Sequence, residues 1–389
     1  MSVVAVADVA EVNPRVTKRP AEQDPVAFVP MAELDSVAAT TSGGDTRPFS
    51  EVSKGYTIFS DRDLLVAKIT PCFENNKIGQ ARLNHPVGVG SSEFHVVRPN
   101  PELVDERYLL HFLRQDRVRV EGERRMTGSG GQRRVPPAFL KELKLPLPPL
   151  DDQRRIAAIL DQADALRAKR RQALAYLDDL SQSTFLDMFG DPLKNPLGWD
   201  AATIGEVCTR VTDGEHKTPR RSEAGVPLLS ARSIQRGWID FSATDFIDDG
   251  EYELLRKRIE PQIDDVLISC SGTIGRVARV GAVSRFAMVR SAALVRPGAL
   301  VSAAFLEQLL ATPSMNRLMN ARANSSAQAN LFQNQIKALP VVIPPLEAQR
   351  RFELRVEQVR RRRGAVVRAR VAADELFESL QSGAFAGRV

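Results

Sequence analysis

The chain reads as an α+β protein built twice: two globular regions of short strands and helices, separated by two long helices that pair as a coiled coil, in a pseudo-twofold tandem repeat. Three observations predict this. Residues 148–190 open with two prolines and then hold no proline or glycine until Gly190, in a composition of Ala, Leu, Arg, Gln and Asp that favours helix. Residues 344–389 align with that stretch without a gap, 196 positions on, so that Pro148-Pro149-Leu150 matches Pro344-Pro345-Leu346 and Gln153-Arg154-Arg155 matches Gln349-Arg350-Arg351. The order strand block, helix, small-residue polar loop, Pro-Pro and long helix occurs twice. The expected segments are therefore 1–147, 148–190, 191–343 and 344–389.

In chain order, the start MSVVAV reads as a first strand or helix edge. Ala27-Phe28-Val29-Pro30, Leu64-Leu65-Val66-Ala67-Lys68-Ile69 and Phe94-His95-Val96-Val97 read as strands, with turns at Ser42-Gly43-Gly44-Asp45 and Asn84-His85-Pro86. Residues 105–120 read as a helix with Tyr108, Leu109, Phe112 and Leu113 on one face, followed by the polar loop Thr127-Gly128-Ser129-Gly130-Gly131-Gln132-Arg133-Arg134. Asp151 or Asp152 caps the first long helix, and Gly190-Asp191-Pro192 stops it. Its apolar stripe is Ile156, Ile159, Ala163, Leu166, Ala173, Leu177 and Leu180, broken at Arg170. The second half repeats the scheme with strands at Val226-Pro227-Leu228-Leu229-Ser230, Val266-Leu267-Ile268-Ser269 and Ala292-Ala293-Leu294-Val295, a helix over 303–318 and the loop Asn324-Ser325-Ser326-Ala327-Gln328-Ala329-Asn330. Phe352, Val359, Val366, Ala373 and Leu380 then recur every seventh residue, a stripe for the partner helix. The strand blocks of the two halves barely match, so the frame is duplicated and its contents have diverged.

At 389 residues two or three domains are expected, and 43% hydrophobic content excludes a disordered chain. Fifty-four Lys and Arg against 48 Asp and Glu leave +6, a mildly basic balance that suits a polyanionic partner. Three scattered cysteines, Cys72, Cys208 and Cys270, point to a reducing compartment without disulfide framework or zinc site. The N-terminus lacks the basic region of a signal peptide and no run is long enough to span a membrane, so a cytoplasmic location is expected. No Pro-Pro pair carries the Asp or Asn before it and the aromatic after it that amino-methyl transfer needs. Neither a Gly-x-Gly-x-x-Gly loop nor a phosphate-binding P-loop occurs, and His85, His95, His111 and His216 lack metal-ligand spacing. The expectation is a chain that binds, with no catalytic residue, metal or cofactor of its own.

The chain resembles the DNA-specificity subunit of type I restriction–modification systems over essentially its whole length. The likeness rests on Asp213-Gly214-Glu215-His216-Lys217-Thr218-Pro219 with Gly225-Val226-Pro227-Leu228-Leu229-Ser230, on Ser271-Gly272-Thr273-Ile274-Gly275-Arg276, and on 325–331 leading into Leu339-Pro340. In the first half, residues 67–78 (AKITPCFENNKI) are similar to a variant of the family, while the Asp-Gly-x-His-Lys-Thr-Pro pattern is absent there. The resemblance implies two target recognition domains joined by two long antiparallel helices, each domain reading one half of a bipartite, asymmetric site in double-stranded DNA. It implies two methyltransferase (modification) subunits docked on the long helices, along the stripe of Ile156, Ile159, Leu166, Leu177, Leu180, Phe352, Val359, Val366 and Leu380. S-adenosylmethionine, ATP and Mg belong on the modification and restriction/translocase subunits.

Base reading needs side chains of paired-bond geometry, Arg for guanine and Asn or Gln for adenine, and phosphate binding needs Lys, Arg, Ser and Thr. Candidate DNA contacts are Lys68, Asn75, Asn76 and Lys77; Gln132, Arg133 and Arg134; His216, Lys217, Thr218, Arg220 and Arg221; Ser271 and Thr273; and Gln328, Asn330 and Gln333. Arg360-Arg361-Arg362-Arg363 winds round more than one helix face, open to phosphate, to an acidic partner or to solvent. A helix of about 38 residues spans roughly 57 Å, a length that suits half-sites in major grooves about one turn, 34 Å, apart. Two competing readings are a self-sufficient nuclease or methyltransferase, and a protein-interaction scaffold whose basic charge is incidental.

Overall fold

The long runs free of proline form two helices of 40 residues each, Leu150–Phe189 and Leu346–Phe385. A computed structural model of the chain describes residues 2–16, 19–129, 131–242, 244–282, 285–323 and 329–386. Contacts divide it into two units, 1–171 with 368–389 and 172–367, so that each unit takes half of each long helix. This differs from the four expected segments because a long helix has no core of its own: each half buries its stripe where the nearest apolar surface lies.

In the first unit, strands Ala10–Val12, Phe94–Pro99, Leu64–Ala67, Ile78–Gln80, Thr40–Thr41 and Leu34–Asp35 lie side by side in that order. A second sheet orders Asp45–Pro48, Pro25–Val29, Val87–Gly90 and Thr57–Ser60. In the second unit, Cys208–Asp213, Ala292–Pro297, Val266–Ser269 and Val277–Arg279 form one sheet, and Asp245–Ile247, Val226–Leu229 and Ala287–Met288 another. The start MSVVAV settles as a strand, Ser2–Ala5, paired antiparallel with Lys144–Leu147, just as Asp200–Thr203 pairs with Pro340–Ile343. The central pairing repeats in register: Phe94 opposes Ala67 and Val97 opposes Leu64 in one unit, Ala292 opposes Ser269 and Val295 opposes Val266 in the other. At the end of each pairing a buried carboxylate takes an arginine side-on. Asp63 binds Arg98 at 2.8 and 2.7 Å, and Asp265 binds Arg296 at 2.7 and 2.8 Å.

The single helix expected over 105–120 is two, Glu106–Leu113 and Asp116–Arg125, with Gln115 extended between them. That over 303–318 is also two, Ala303–Ala311 and Pro313–Ala323, because Pro313 starts a new helix after the extended Thr312.

Gln153 and Gln349 explain the repeated Pro-Pro-Leu-x-x-Gln start. Both side chains are fully buried. The Gln153 Oε1 accepts from the Asp105 amide at 2.9 Å, and its Nε2 donates to the Pro148 carbonyl at 2.8 Å and the Leu103 carbonyl at 3.2 Å. Gln349 does the same with the Ser302 amide, Pro344 and Leu300 at 2.8, 2.8 and 3.0 Å. Asp105 and Ser302 cap the helix that follows the central sheet, so one amide side chain ties that cap to the start of a long helix.

The long helices run antiparallel within each unit. In the first, Ile156, Leu160 and Ala163 share a core with Phe377, Ala384 and Phe385, and Arg167 donates to Asp374 at 2.7 Å. In the second, Phe185 and Phe189 pack on Phe352 with ring centroids 5.6 and 5.4 Å apart, and Arg363 donates to Asp178 at 2.7 Å. The stripe expected on the first helix needs correction. Leu166 is 39% and Leu180 49% exposed, and Ile159 and Leu177 are only half-buried. The seam runs one residue further on at each alternate step, through Leu160, Arg167, Leu174 and Ser181. Both registers fit the three- and four-residue spacing, and the aromatic residues near the helix ends select one. On the second helix Phe352 is fully buried while Val359, Val366 and Leu380 are half-buried, interleaved with Val356, Phe377 and Ala384. Among the described residues no helix is long and apolar enough to cross a membrane, and no cluster of His, Cys, Asp and Glu is placed to hold a metal ion.

Candidate nucleic-acid interface

Each unit brings two sequence-distant loops together beyond the central sheet. In the first unit the chain leaves Leu64–Ala67 into loop 68–77, and residues 127–129 and 131–134 return beside it. Thr70 donates its amide to the Arg133 carbonyl at 3.0 Å, Val135 donates to Lys68 at 2.9 Å, and Ile69 bridges to Arg134. Lys68, Arg133 and Arg134 are thereby gathered. The Lys68 Nζ donates to the Ser92 carbonyl at 2.7 Å. Arg133 pairs with Glu74 at 2.9 Å, and Arg134 pairs with Glu93 through Nε at 2.9 Å and Nη2 at 2.8 Å. Asn76 takes the left-handed conformation (φ 52°) and turns its amide inward to the Arg114 carbonyl at 3.0 Å, so it anchors the loop; Asn75 and Lys77 share that turn, and Gln132 lies in the turn opposite.

In the second unit, loop 270–275 leaves Val266–Ser269 and meets Asn330 through a bridge to Ser271. Gly272 and Gly275 have positive φ, 68° and 81°, which any side chain with a Cβ resists. The Ser269 hydroxyl donates to the Thr273 carbonyl at 2.6 Å and holds the loop closed. His216, 3.0 Å away, Arg258 and Gln333 converge on Asp213, which ends the strand Cys208–Asp213. Lys217 and Thr218 continue from His216, with the Lys217 amide held by Glu215 at 2.9 Å. Those backbone bonds hold the Glu215 carboxyl below the usual carboxylate range. Arg220 pairs with Asp248 at 2.9 Å and Arg221 with Asp245 at 2.7 Å. Arg221, Arg232 and Ser271 line one cavity, and a neighbouring one of about 640 Å³ is walled by Gln235, Arg236, Trp238, Thr273, Arg276 and Asn320. Gln328 lies outside the described residues.

The structure therefore brings Lys68, Arg133 and Arg134 together in one unit, and Arg221, Ser271, Thr273 and Asn330 in the other, with His216 and Gln333 joined through Asp213. Arg220 stands at the edge of the second group, on Asp248. The carboxylates that hold these cations carried no signal in the sequence: Glu93 lies 41 residues from Arg134, Glu74 59 from Arg133 and Asp245 24 from Arg221. The hydrogen bonds from Arg134, with the nearby Lys68 charge, keep the Glu93 carboxyl below its ordinary range. Trp238 and Arg236 were also missed, having no motif around them, and Arg276, which ends the Ser271–Arg276 stretch, was not singled out as a contact.

Fold and site together define a duplicated α+β protein that presents arginine- and amide-bearing loops from each copy. The family model for the type I restriction modification DNA specificity domain matches residues 1–176 and 196–359, and the chain belongs to that family. It is 37% identical over 172 residues to the specificity subunit of the type I restriction enzyme EcoAI of Escherichia coli, a match covering 44% of this chain and 29% of that protein. To the EcoEI specificity subunit, also of Escherichia coli, it is 36% identical over 177 residues, covering 45% of this chain and 30% of that protein. The chain spans about three tenths of the length of these two relatives. A solved S subunit of a type I restriction–modification system from M. genitalium has the same fold at 12% identity, with a TM-score of 0.58 over 99% of this chain and 96% of that one.

Proposed function

We propose that the chain is a specificity subunit that reads a bipartite, asymmetric site in double-stranded DNA, one half with each unit, and performs no chemistry alone. The observation that carries this is the duplicated frame holding unlike loops: the same loop junction presents Lys68, Arg133 and Arg134 in one unit and Ser271, Thr273 and Asn330 in the other. One scaffold used twice with different polar side chains suits two different half-sites. Two modification subunits docked on the long helices supply the methyl transfer and hold S-adenosylmethionine. Restriction/translocase subunits supply the steps that need ATP and Mg, all in the cytoplasm. Family membership and the names of the relatives support this division of labour.

Titrating the full chain with double-stranded DNA at several salt concentrations tests the reading. Phosphate contacts by several of the named cations make log affinity fall steeply and linearly with log salt, with a slope of about −0.9 per contact. Affinity that ignores salt, or methyl transfer by the chain alone, would remove it.

A further inference from the structure

The two loop junctions correspond at three backbone contacts. In the first unit the Lys68 amide donates to the Glu93 carbonyl at 2.9 Å, the Val135 amide donates to Lys68 at 2.9 Å, and Ile69 bridges to Arg134. In the second the Cys270 amide donates to the Ser291 carbonyl at 2.8 Å, the Leu331 amide donates to Cys270 at 2.9 Å, and Ser271 bridges to Asn330. Arg134 thus occupies in one unit the place that Asn330 occupies in the other, and Glu93 the place of Ser291.

The side chains in those places differ in a way that matters for base recognition. Glu93 takes the side edge of the Arg134 guanidinium, Nε and Nη2, at 2.9 and 2.8 Å. The outer edge, Nη1 with the second hydrogen of Nη2, stays open apart from a long 3.4 Å contact of Nη1 to the Gln132 carbonyl. The Arg134 side chain is 41% exposed against 25% for Glu93, so the cation is the more open member of the pair and the carboxylate holds its inner edge. An arginine fixed on one edge and free on the other is built for the paired acceptors O6 and N7 of guanine. In the second unit Ser291 stands where Glu93 does: its hydroxyl is occupied by the Ala231 amide at 3.0 Å, and the slot holds the uncharged, half-buried Asn330. An asparagine amide matches the N6 donor and N7 acceptor of adenine.

Resting on the DNA-reading function proposed above, we propose that this duplicated slot is a base-reading position. Arg134, aimed by Glu93, reads a guanine in one half-site, and Asn330 reads an adenine in the other. Glu93 is a positioning residue that also keeps the cation from settling on any phosphate.

The test is selection of bound sequences from a pool of random double-stranded DNA with the full chain, as wild type and as Arg134→Lys, Glu93→Gln and Asn330→Ala. Arg134→Lys keeps the charge and loses the fork. It is expected to retain non-specific affinity while the preference for one G·C pair, in one half of the motif, falls by about tenfold to a hundredfold. Glu93→Gln weakens the preference at that same pair and nowhere else, while non-specific binding holds or rises; a merely structural glutamate would instead lower the melting temperature and all affinities together. Asn330→Ala relaxes one A·T pair in the other half. A wild-type motif that survives Arg134→Lys, a uniform loss across all sequences, or both substitutions acting in one half would overturn the assignment and leave DNA reading standing. A wild type that enriches no split motif would overturn DNA reading itself. Melting curves identify a variant that unfolds, and the remaining two then carry the test.

Discussion

Glu307 is fully buried and receives the Arg279 backbone amide at 2.8 Å and the Arg360 Nη2 at 2.9 Å. Burial pushes its carboxyl up, and the Arg360 charge pulls it down. Arg360 opens a run of four identical residues whose members have different neighbours. Arg363 binds Asp178 and lies over the Trp238 ring, whereas Arg361 and Arg362 are exposed. Arg360→Ala, which strands a buried carboxylate, is expected to cost about 3 kcal/mol. Arg361→Ala and Arg362→Ala each stay within about 0.5 kcal/mol, as exposed substitutions do. Chemical denaturation of the three variants checks this; equal losses would mean that the run acts as one basic face. In the sequence the four arginines are indistinguishable, because which one meets Glu307 depends on a helix 53 residues away.

The helix starts carry the repeat that was easiest to read, and the reason is a single buried amide in each. Gln153 and Gln349 each satisfy a helix-capping residue and two carbonyls at once. Gln153→Ala leaves those backbone groups buried without partners and is expected to destabilise by about 2 to 3 kcal/mol. Gln349→Ala should match it. Thermal unfolding decides: a loss in one and none in the other would show that the two copies no longer share this joint. The seam along the helices was legible only in part. Periodicity shows that an apolar stripe exists, but a three-and-four spacing admits neighbouring registers, and Phe185, Phe189, Phe352 and Phe385 select among them through contacts that come from the globular units. The breaks at Gln115 and Thr312 are similar: Pro313 marks one in the sequence, and nothing local marks the other.

For the molecule entire, duplication with divergence makes modular reading the expectation. Replacing residues 1–147 with the matching part of another family member is expected to change the bases selected in one half of the split motif and leave the other as it was. Selection from random DNA reads the outcome directly, and changes in both halves would refute independent units. The fold, the two long helices and the family could be reached from residue order, because helix periodicity, proline punctuation and a gap-free internal repeat are local properties written along the chain. The partners of Arg133, Arg134, Arg221 and Arg360, and the matching of Arg134 with Asn330, could not. They join segments dozens of residues apart whose pairing follows from sheet register and loop closure, which exist only once the chain has folded.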